Sequence, residues 1–388
     1  MNRRICVVTG SRAEYGMLYW ILRELSDAPD FELQLVVTGA HLSPEFGNTV
    51  EIIARDGFPI ARRVEMLLSS DTRGGTVKSM ALGMLGMADA FEQLQPDLVL
   101  VLGDRYEMLA AVQACMILGI PVAHVAGGDT TEGAFDESIR HAITKMSHLH
   151  FVTNELSARR VRQMGEDPAR VFVVGSPGLD YLKRRPLLTR TELEASLGAS
   201  LGTRNLLITF HPVTLEAESG ADQLHELLAA LANLSHDTTC WFTRPNADAG
   251  GRAFAGAVAA WVEQHPGRAH LYASLGQTRY LSLMANVDAV VGNSSSGLYE
   301  APALRVPTVD IGDRQRGRLA AASVIRTPPQ RDAIAAAISD AMARDCASVI
   351  SPYGDGESSA RIVGLLRALP ADAPLAQKRF HLLELAHA

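Results

Sequence analysis

Leu98 to His141 reads LVLVLGDRYEMLAAVQACMILGIPVAHVAGGDTTEGAFDESIRH, and the fold is decided there. Leu98 to Leu102 is a continuous apolar run that ends at Gly103-Asp104-Arg105. An amphipathic run follows to Leu118, Gly119 turns the chain, and Ile120 to Ala126 is apolar again. Strand, helix, strand is the crossover unit of a parallel sheet. Polar groups collect where each strand ends: Asp104, Arg105 and Glu107 after the first, His124, Asp129, Glu132, Asp136 and Glu137 after the second. Ligands of open parallel sheets sit outside the carboxyl ends of the strands. Several carboxylates converging at such a place point to acid–base chemistry on a small molecule.

The chain has 388 residues, enough for two domains with separate cores. Hydrophobic residues make up 47% and charged residues 20%, ordinary values for a globular protein. A net charge of -7 argues against a general nucleic-acid binder but leaves an anionic ligand open, because a few placed arginines suffice locally. Cys6, Cys115, Cys240 and Cys346 lie far apart with no CxxC pair, so they read as reduced thiols of a cytoplasmic chain, and no zinc cluster is expected. The N-terminal apolar run is too short for a signal sequence. The longest apolar segment, Met108 to Ala126, is broken by Gln113, Gly119 and Pro121, which rejects a membrane span.

Outward from the central stretch, the same alternation repeats. Arg4 to Val8 reads as a strand, TGSRAEYG (9–16) as a loop, and Met17 to Leu25 as a helix. Loop amides, a helix N-terminus and Arg12 suit an anion; a tight turn with a surface arginine is the competing reading, and no GxGxxG fingerprint is present. Phe31 to Thr38 is a strand ending at Gly39-Ala40-His41, where His41 is either a site residue or a hydrogen-bonded loop group. The first half alternates about seven times, the pattern of a doubly wound domain. Composition changes over Lys183 to Gly202, and alternation then restarts. Strands lead into His211-Pro212, into Arg244 to Asp248, into GNSSSG (292–297) and into GDRQRGR (312–318), and the last thirty or so residues read as helical. The expected domains are 1–185, 186–365 and a helical tail, 366–388, packing back. Two α/β domains with a cleft between them result, and domain interfaces favour ligand sites.

Three serines between two glycines offer hydroxyls and amides suited to phosphate; a serine N-cap needs only one of them. Glu300, one turn later, is placed to accept from ribose hydroxyls. Arg314, Arg316 and Arg318 either neutralise a diphosphate or form a solvated loop. His211 either assists proton transfer or steadies a leaving phosphate, or is a turn histidine. Asp104, Asp136 and Glu132 are the acid–base candidates. Partial desolvation raises the pKa of Asp104 and Arg105 lowers it, while Asp136 or Glu137 also complements a helix dipole.

Together these motifs resemble the UDP-N-acetylglucosamine 2-epimerase family, and more closely its hydrolysing branch, which feeds sialic and legionaminic acid synthesis. The resemblance is carried, in family order, by TGSRAEYG (9–16), GDRYE (103–107), HVAGGDTTEGAFDESIRHAITKMSHLHF (124–151), HPV (211–213), RPNADAG (244–250), GNSSSG (292–297) and IGDRQRGR (311–318). It implies two Rossmann-like domains facing a cleft, similar to the GT-B glycosyltransferases, with UDP in the C-terminal domain and the sugar between the two. By position, Asp104 and Asp136 match family catalytic acids and His211 a histidine near the sugar and diphosphate. Arg12, His41, Arg105 and Asn246 match substrate-binding positions, and Ser294, Ser295, Glu300 and Arg314 match the UDP-contacting set. One position departs: where the family often has His-X-Glu-Gly-Gly, this chain has Ala126, which moves no proton, so either Glu132 or Asp129 takes over its task or the sugar differs. The implied reaction turns a UDP-2-acetamido sugar into UDP and the free C2-inverted sugar through a glycal. UDP-N-acetylglucosamine is the first substrate expected, and the TEGA-type loop resembles that of the branch acting on UDP-N,N'-diacetylbacillosamine. A non-hydrolysing epimerase, a GT-B glycosyltransferase and an inactive nucleotide-sugar sensor are the rivals. No metal or other cofactor is called for. The expected partner is the UDP-sugar, without nucleic acid or membrane, in a homo-oligomer (dimer or tetramer).

Overall fold

The computed structural model describes residues 2–70, 72–130, 135–211, 219–243, 251–272, 275–370 and 375–382. The chain divides into two compact units, one of residues up to 130, 135–181 and 353 onward, the other of residues 182–352. Each is a parallel sheet with helices wound between its strands, the α/β architecture expected of Rossmann-like domains.

In the first unit the elements run β1 (Arg3–Thr9), α1 (Arg12–Asp27), β2 (Phe31–Thr38), α2 (Val50–Arg55), β3 (Ile60–Val64), α3 (Arg73–Leu94), β4 (Leu98–Leu102), α4 (Tyr106–Leu118) and β5 (Val122–Val125). They continue as α5 (Phe135–Met146), β6 (Leu149–Val152), α6 (Glu155–Gln163), β7 (Val171–Val173) and α7 (Asp180–Arg184). The sheet order is β3-β2-β1-β4-β5-β6-β7 with every pair parallel. Apolar runs are unbroken because both faces of each central strand are covered. Leu98, Leu100 and Leu102 pack into one core, and Val99 and Val101 into the core on the opposite face. The strand order reverses between β1 and β4, and ligand crevices of doubly wound sheets open at that point. The TGSRAEYG and GDRYE segments follow those two strands.

The second unit holds α8 (Arg190–Leu197), β8 (Arg204–Thr209), α9 (Ser219–Ala232), β9 (Thr238–Thr243), α10 (Gly251–Gln264), β10 (Ala269–Tyr272) and α11 (Gly276–Met284). It goes on through β11 (Ala289–Gly292), α12 (Ser296–Ala303), β12 (Thr308–Ile311), β13 (Val324–Thr327) and α13 (Arg331–Ala343). Its order, β10-β9-β8-β11-β12-β13, is again all parallel. Here the reversal falls between β8 and β11, the strands that lead into His211 and into Asn293-Ser294-Ser295. Leu206 and Ile208 face one core while Leu207 and Trp241 face the other.

Two expectations need correction. β13 has no counterpart in the sequence reading, because Val324-Ile325-Arg326-Thr327 is a four-residue edge strand without a usable period, closed off by Pro328 and Pro329. In the tail expected as helical over 366–388, α14 (Ser358–Ala368) ends at Ala368 and the described residues 375–382 are irregular, while 371–374 and 383–388 lie outside the described residues. The boundary expected at 365 falls inside α14, which packs on α1 in the first unit. Asp180, fully buried, explains that return. Its carboxylate accepts from the backbone N–H groups of Ser358 (2.9 Å) and Ser359 (2.6 Å), satisfying donors at the start of the helix. Among the described residues no helix is long and apolar enough to cross a membrane.

Candidate active site

In the first unit, five charged residues gather after β4 and in the first turns of α4 and α5. Asp104 forms an ion pair with Arg140, whose side chain is only 8% exposed. Asp136 lies four residues before Arg140, so the two share a face of α5. Burial raises the Asp136 carboxyl pKa; Arg105 opposes that shift and Glu107 adds to it, so Asp136 stands in the field of the Arg105–Glu107 pair. Arg105 grips the fully buried Glu107 with two hydrogen bonds, Nε to Oε2 at 3.1 Å and Nη2 to Oε1 at 2.7 Å. His124 fixes the turn that carries Asp104. Its Nε2 donates to the Gly103 carbonyl at 2.7 Å, so Nδ1 accepts from Thr144 at 3.1 Å. Burial holds that imidazole neutral, with its pKa lowered to about 3.

Behind this cluster lies Glu14, in the first turn of α1. Its Oε2 accepts from the Gly10 N–H at 2.8 Å, and Oε1 is buried without a hydrogen-bond partner. The loops after β1 and β2 close tightly here. Gly39 has φ +59°, and an added Cβ would stand 2.8 Å from the Gly10 carbonyl and 3.1 Å from the Glu107 side chain. A cavity of about 760 Å³ opens beside them, lined by Ser11, Gly39, Ser70, Arg105, Tyr106 and Glu107 among others.

In the second unit, Asn293 is the centre. It is fully buried, and its side-chain amide pairs with both backbone polar groups of His211. Its own carbonyl accepts from Arg314 Nη1 at 3.0 Å and Gln315 Nε2 at 2.8 Å. The serine loop begins at the next residue. Ser295 stands at the N-cap of α12 but makes no side-chain cap bond. Ser294 Oγ accepts from the backbone N–H of Ser296 at 3.4 Å and from its hydroxyl at 3.1 Å. A plain N-cap therefore does not account for the three serines. Gly292 lets β11 reach this point: φ is +144°, and an added Cβ would collide with the Thr209 carbonyl oxygen. Glu300 is partly buried, and its packing pushes the pKa to about 7. His211 is buried, and burial with the nearby Arg314 lowers its pKa to about 4.

The family profile described as UDP-N-acetylglucosamine 2-epimerase matches residues 23–367 of this chain. The chain belongs to that family. The epimerase is 41% identical to the GDP/UDP-N,N'-diacetylbacillosamine 2-epimerase (hydrolyzing) of Campylobacter jejuni over 84% of each chain. It is 35% identical to the UDP-N,N'-diacetylbacillosamine 2-epimerase (hydrolyzing) of Legionella pneumophila over 97% of this chain and 99% of the relative. It groups with the hydrolysing 2-epimerases. Among solved structures, the UDP-GlcNAc 2-epimerase of Neisseria meningitidis bound to UDP-GlcNAc has the same fold, with a TM-score of 0.75 at 19% identity, over 94% of this chain and 99% of that one.

The residues expected from the sequence of the epimerase fare unevenly. Asp104, Arg105 and Asp136 come together in one unit, and His211, Ser294, Ser295 and Arg314 in the other. Arg12 is exposed at the first position of α1. His41 is fully buried, with Nε2 paired to the Thr9 hydroxyl at 3.0 Å and Nδ1 to the Thr49 hydroxyl at 2.7 Å. Asp129, one expected stand-in for the family glutamate, is buried, and its Oδ1 accepts from the hydroxyls of Thr153 and Ser157. Arg316 is a solvated arginine, 70% exposed beside Asp313. Ala126 adopts φ +62°, unusual for a residue with a Cβ. Glu132 and Asn246 lie outside the described residues. Arg140, Glu14, Asn293 and Gln315 were missed, while His124 was read only as a polar group at a strand end. Of the missed four, Arg140 left a trace in the sequence, the i, i+4 spacing from Asp136.

Proposed function

We propose that the epimerase acts on UDP-N,N'-diacetylbacillosamine and releases UDP and the free C2-inverted 2,4-diacetamido sugar. The observation that carries this choice is that the relatives at 41% and 35% identity, matched over 84% and 97% of the chain, are both named for that sugar. UDP-N-acetylglucosamine is the second reading, supported by the family description.

In the first stage a carboxylate takes the C2 proton while the C1–O bond to UDP breaks, giving a 2-acetamidoglycal. In the second, water adds its oxygen to C1 and a proton returns to C2 on the opposite face. Asp104 and Asp136 are assigned to the two proton transfers. The assignment rests on their convergence beside Arg105 and Arg140, and on the raised pKa of Asp136, which suits a group that must hold a proton part of the time. The C2 proton is weakly acidic, so leaving-group stabilisation must share the work. Ser294, Ser295, Arg314 and the neutral His211 are assigned to the diphosphate, with Glu300 to the ribose. Incubation with each nucleotide sugar in deuterated water tests the reading. Free UDP and a C2-deuterated, inverted sugar are expected, with the diacetamido substrate turned over at least tenfold more efficiently in kcat/KM. A UDP-linked epimer, or a preference for UDP-N-acetylglucosamine, overturns it.

We also propose that two copies pair through α3 and α4. Val77 and Leu85 on α3 are 65% and 68% exposed, and Met116 and Ile117 on the adjoining α4 are 50% and 80% exposed. An apolar face of this kind marks a contact surface. Light scattering of the purified protein is expected to give twice the chain mass, reduced to one by Leu85→Lys with Ile117→Lys. A wild-type mass of one chain refutes the pairing.

A further inference from the structure

Asn293 makes an unusual set of contacts for one side chain. Its Oδ1 accepts from the His211 N–H at 2.7 Å, and its Nδ2 donates to the His211 carbonyl at 2.9 Å. That is the pairing one strand residue makes with another, supplied here by a side chain. Its own N–H donates to the Thr209 carbonyl at 3.2 Å, and its carbonyl takes the Arg314 guanidinium and the Gln315 amide. Three segments far apart in the chain thus meet on one fully buried residue: the end of β8, the serine loop and the loop after β12. The chemistry demands an asparagine. Aspartate lacks the donor for the His211 carbonyl, leucine lacks both groups, and glutamine is one methylene too long.

We propose that Asn293 is a positioning residue, which holds the His211 backbone and the Arg314 guanidinium at fixed places around Ser294 and Ser295 so that the loop is set for a diphosphate before it arrives. The proposal rests on the reading that this loop holds the diphosphate of UDP. Donors aimed in advance need no reorganisation when charge develops on the leaving group. Gln315 completes the arrangement: it is 2% exposed, reaches the Asn293 carbonyl, and its Oε1 accepts from Arg318 at 2.8 Å.

Calorimetry or ligand-observed NMR with UDP and with uridine separates positioning from general support of the fold. Uridine has the base and ribose but no phosphate. In Asn293→Ala, UDP affinity is expected to fall at least tenfold while uridine affinity stays within twofold. Gln315→Met keeps the volume and removes one grip, and about a threefold loss for UDP alone is expected. Turnover falls in both variants. If UDP and uridine weaken in the same proportion, or neither weakens, Asn293 is a structural residue only and the proposal is wrong. Should Asn293→Ala fail to fold, Gln315→Met decides on the same ratio. Wild-type protein that binds no UDP overturns the underlying reading of the loop and the proposal with it.

Discussion

Asp104→Asn is expected to cut turnover by about 10³-fold while leaving UDP affinity within twofold. The size follows from general acid–base catalysis, whose loss costs about 10² to 10⁴ in rate. The substitution is nearly isosteric, and an amide oxygen still accepts from Arg140, so the geometry around α5 is kept. What disappears is the capacity to take or give a proton. Asp104 is suited to that exchange because it is only part-buried, with 23% of its side chain exposed, and is held in place by Arg140 and by the turn that His124 pins. Asp136→Asn should show a loss of similar size, because one carboxylate on each face of C2 is needed. The groups proposed to hold the nucleotide, Ser294, Ser295 and Arg314, belong to the second unit, which is why UDP affinity is the control. Turnover of Asp104→Asn within tenfold of wild type removes Asp104 from the proton-transfer pair.

Glu14→Gln is expected to stabilise the protein at alkaline pH by up to about 3 kcal/mol, with little effect near pH 4.5. Glu14 is 4% exposed, and burial, with Glu107 adding to it, pushes its pKa from 4.5 to about 7 against the opposing Arg105. The folded state therefore holds this proton more tightly than the unfolded chain. Stability is greatest below the unfolded pKa and is lost as pH rises through about 7. A tenfold change in proton affinity is worth about 1.4 kcal/mol, so the charged form costs about 3 kcal/mol once fully ionised. A glutamine keeps the bond from the Gly10 N–H and carries no charge. Denaturant unfolding of both proteins at pH 4.5 and 8.5 measures the effect. An equal difference at the two pH values shows that Glu14 is not the titrating group.

Much of this molecule was readable before any coordinate. Leu98 to Leu102, Val122 to Val125 and Ala289 to Gly292 are short apolar runs that end in glycine or a polar group, and each is a buried parallel strand. Such runs report local burial, and burial on both faces leaves a local signature. The loops at the strand ends were legible for the same reason, since glycines, serines and carboxylates stand out against apolar neighbours.

Other features had no local signature. Arg140 is an ordinary residue of an amphipathic helix until α5 packs beside α4 and β5, where it meets Asp104, thirty-six positions back in the turn after β4. His41 looked like a site residue because it ends a strand; only the packing of Thr9 and Thr49 shows what its two nitrogens pair with. Asn293 looked like the first polar residue of a serine loop, although it joins three segments more than eighty residues apart at the extreme. The chain by itself determined which segments are strands and helices, that they alternate into two doubly wound units, and which loops carry the polar chemistry. The tertiary structure alone decided which polar groups are spent on one another, because the neighbours β1 with β4 and β8 with β11 are set by strand order, and side chains brought together across those neighbours follow no sequence period.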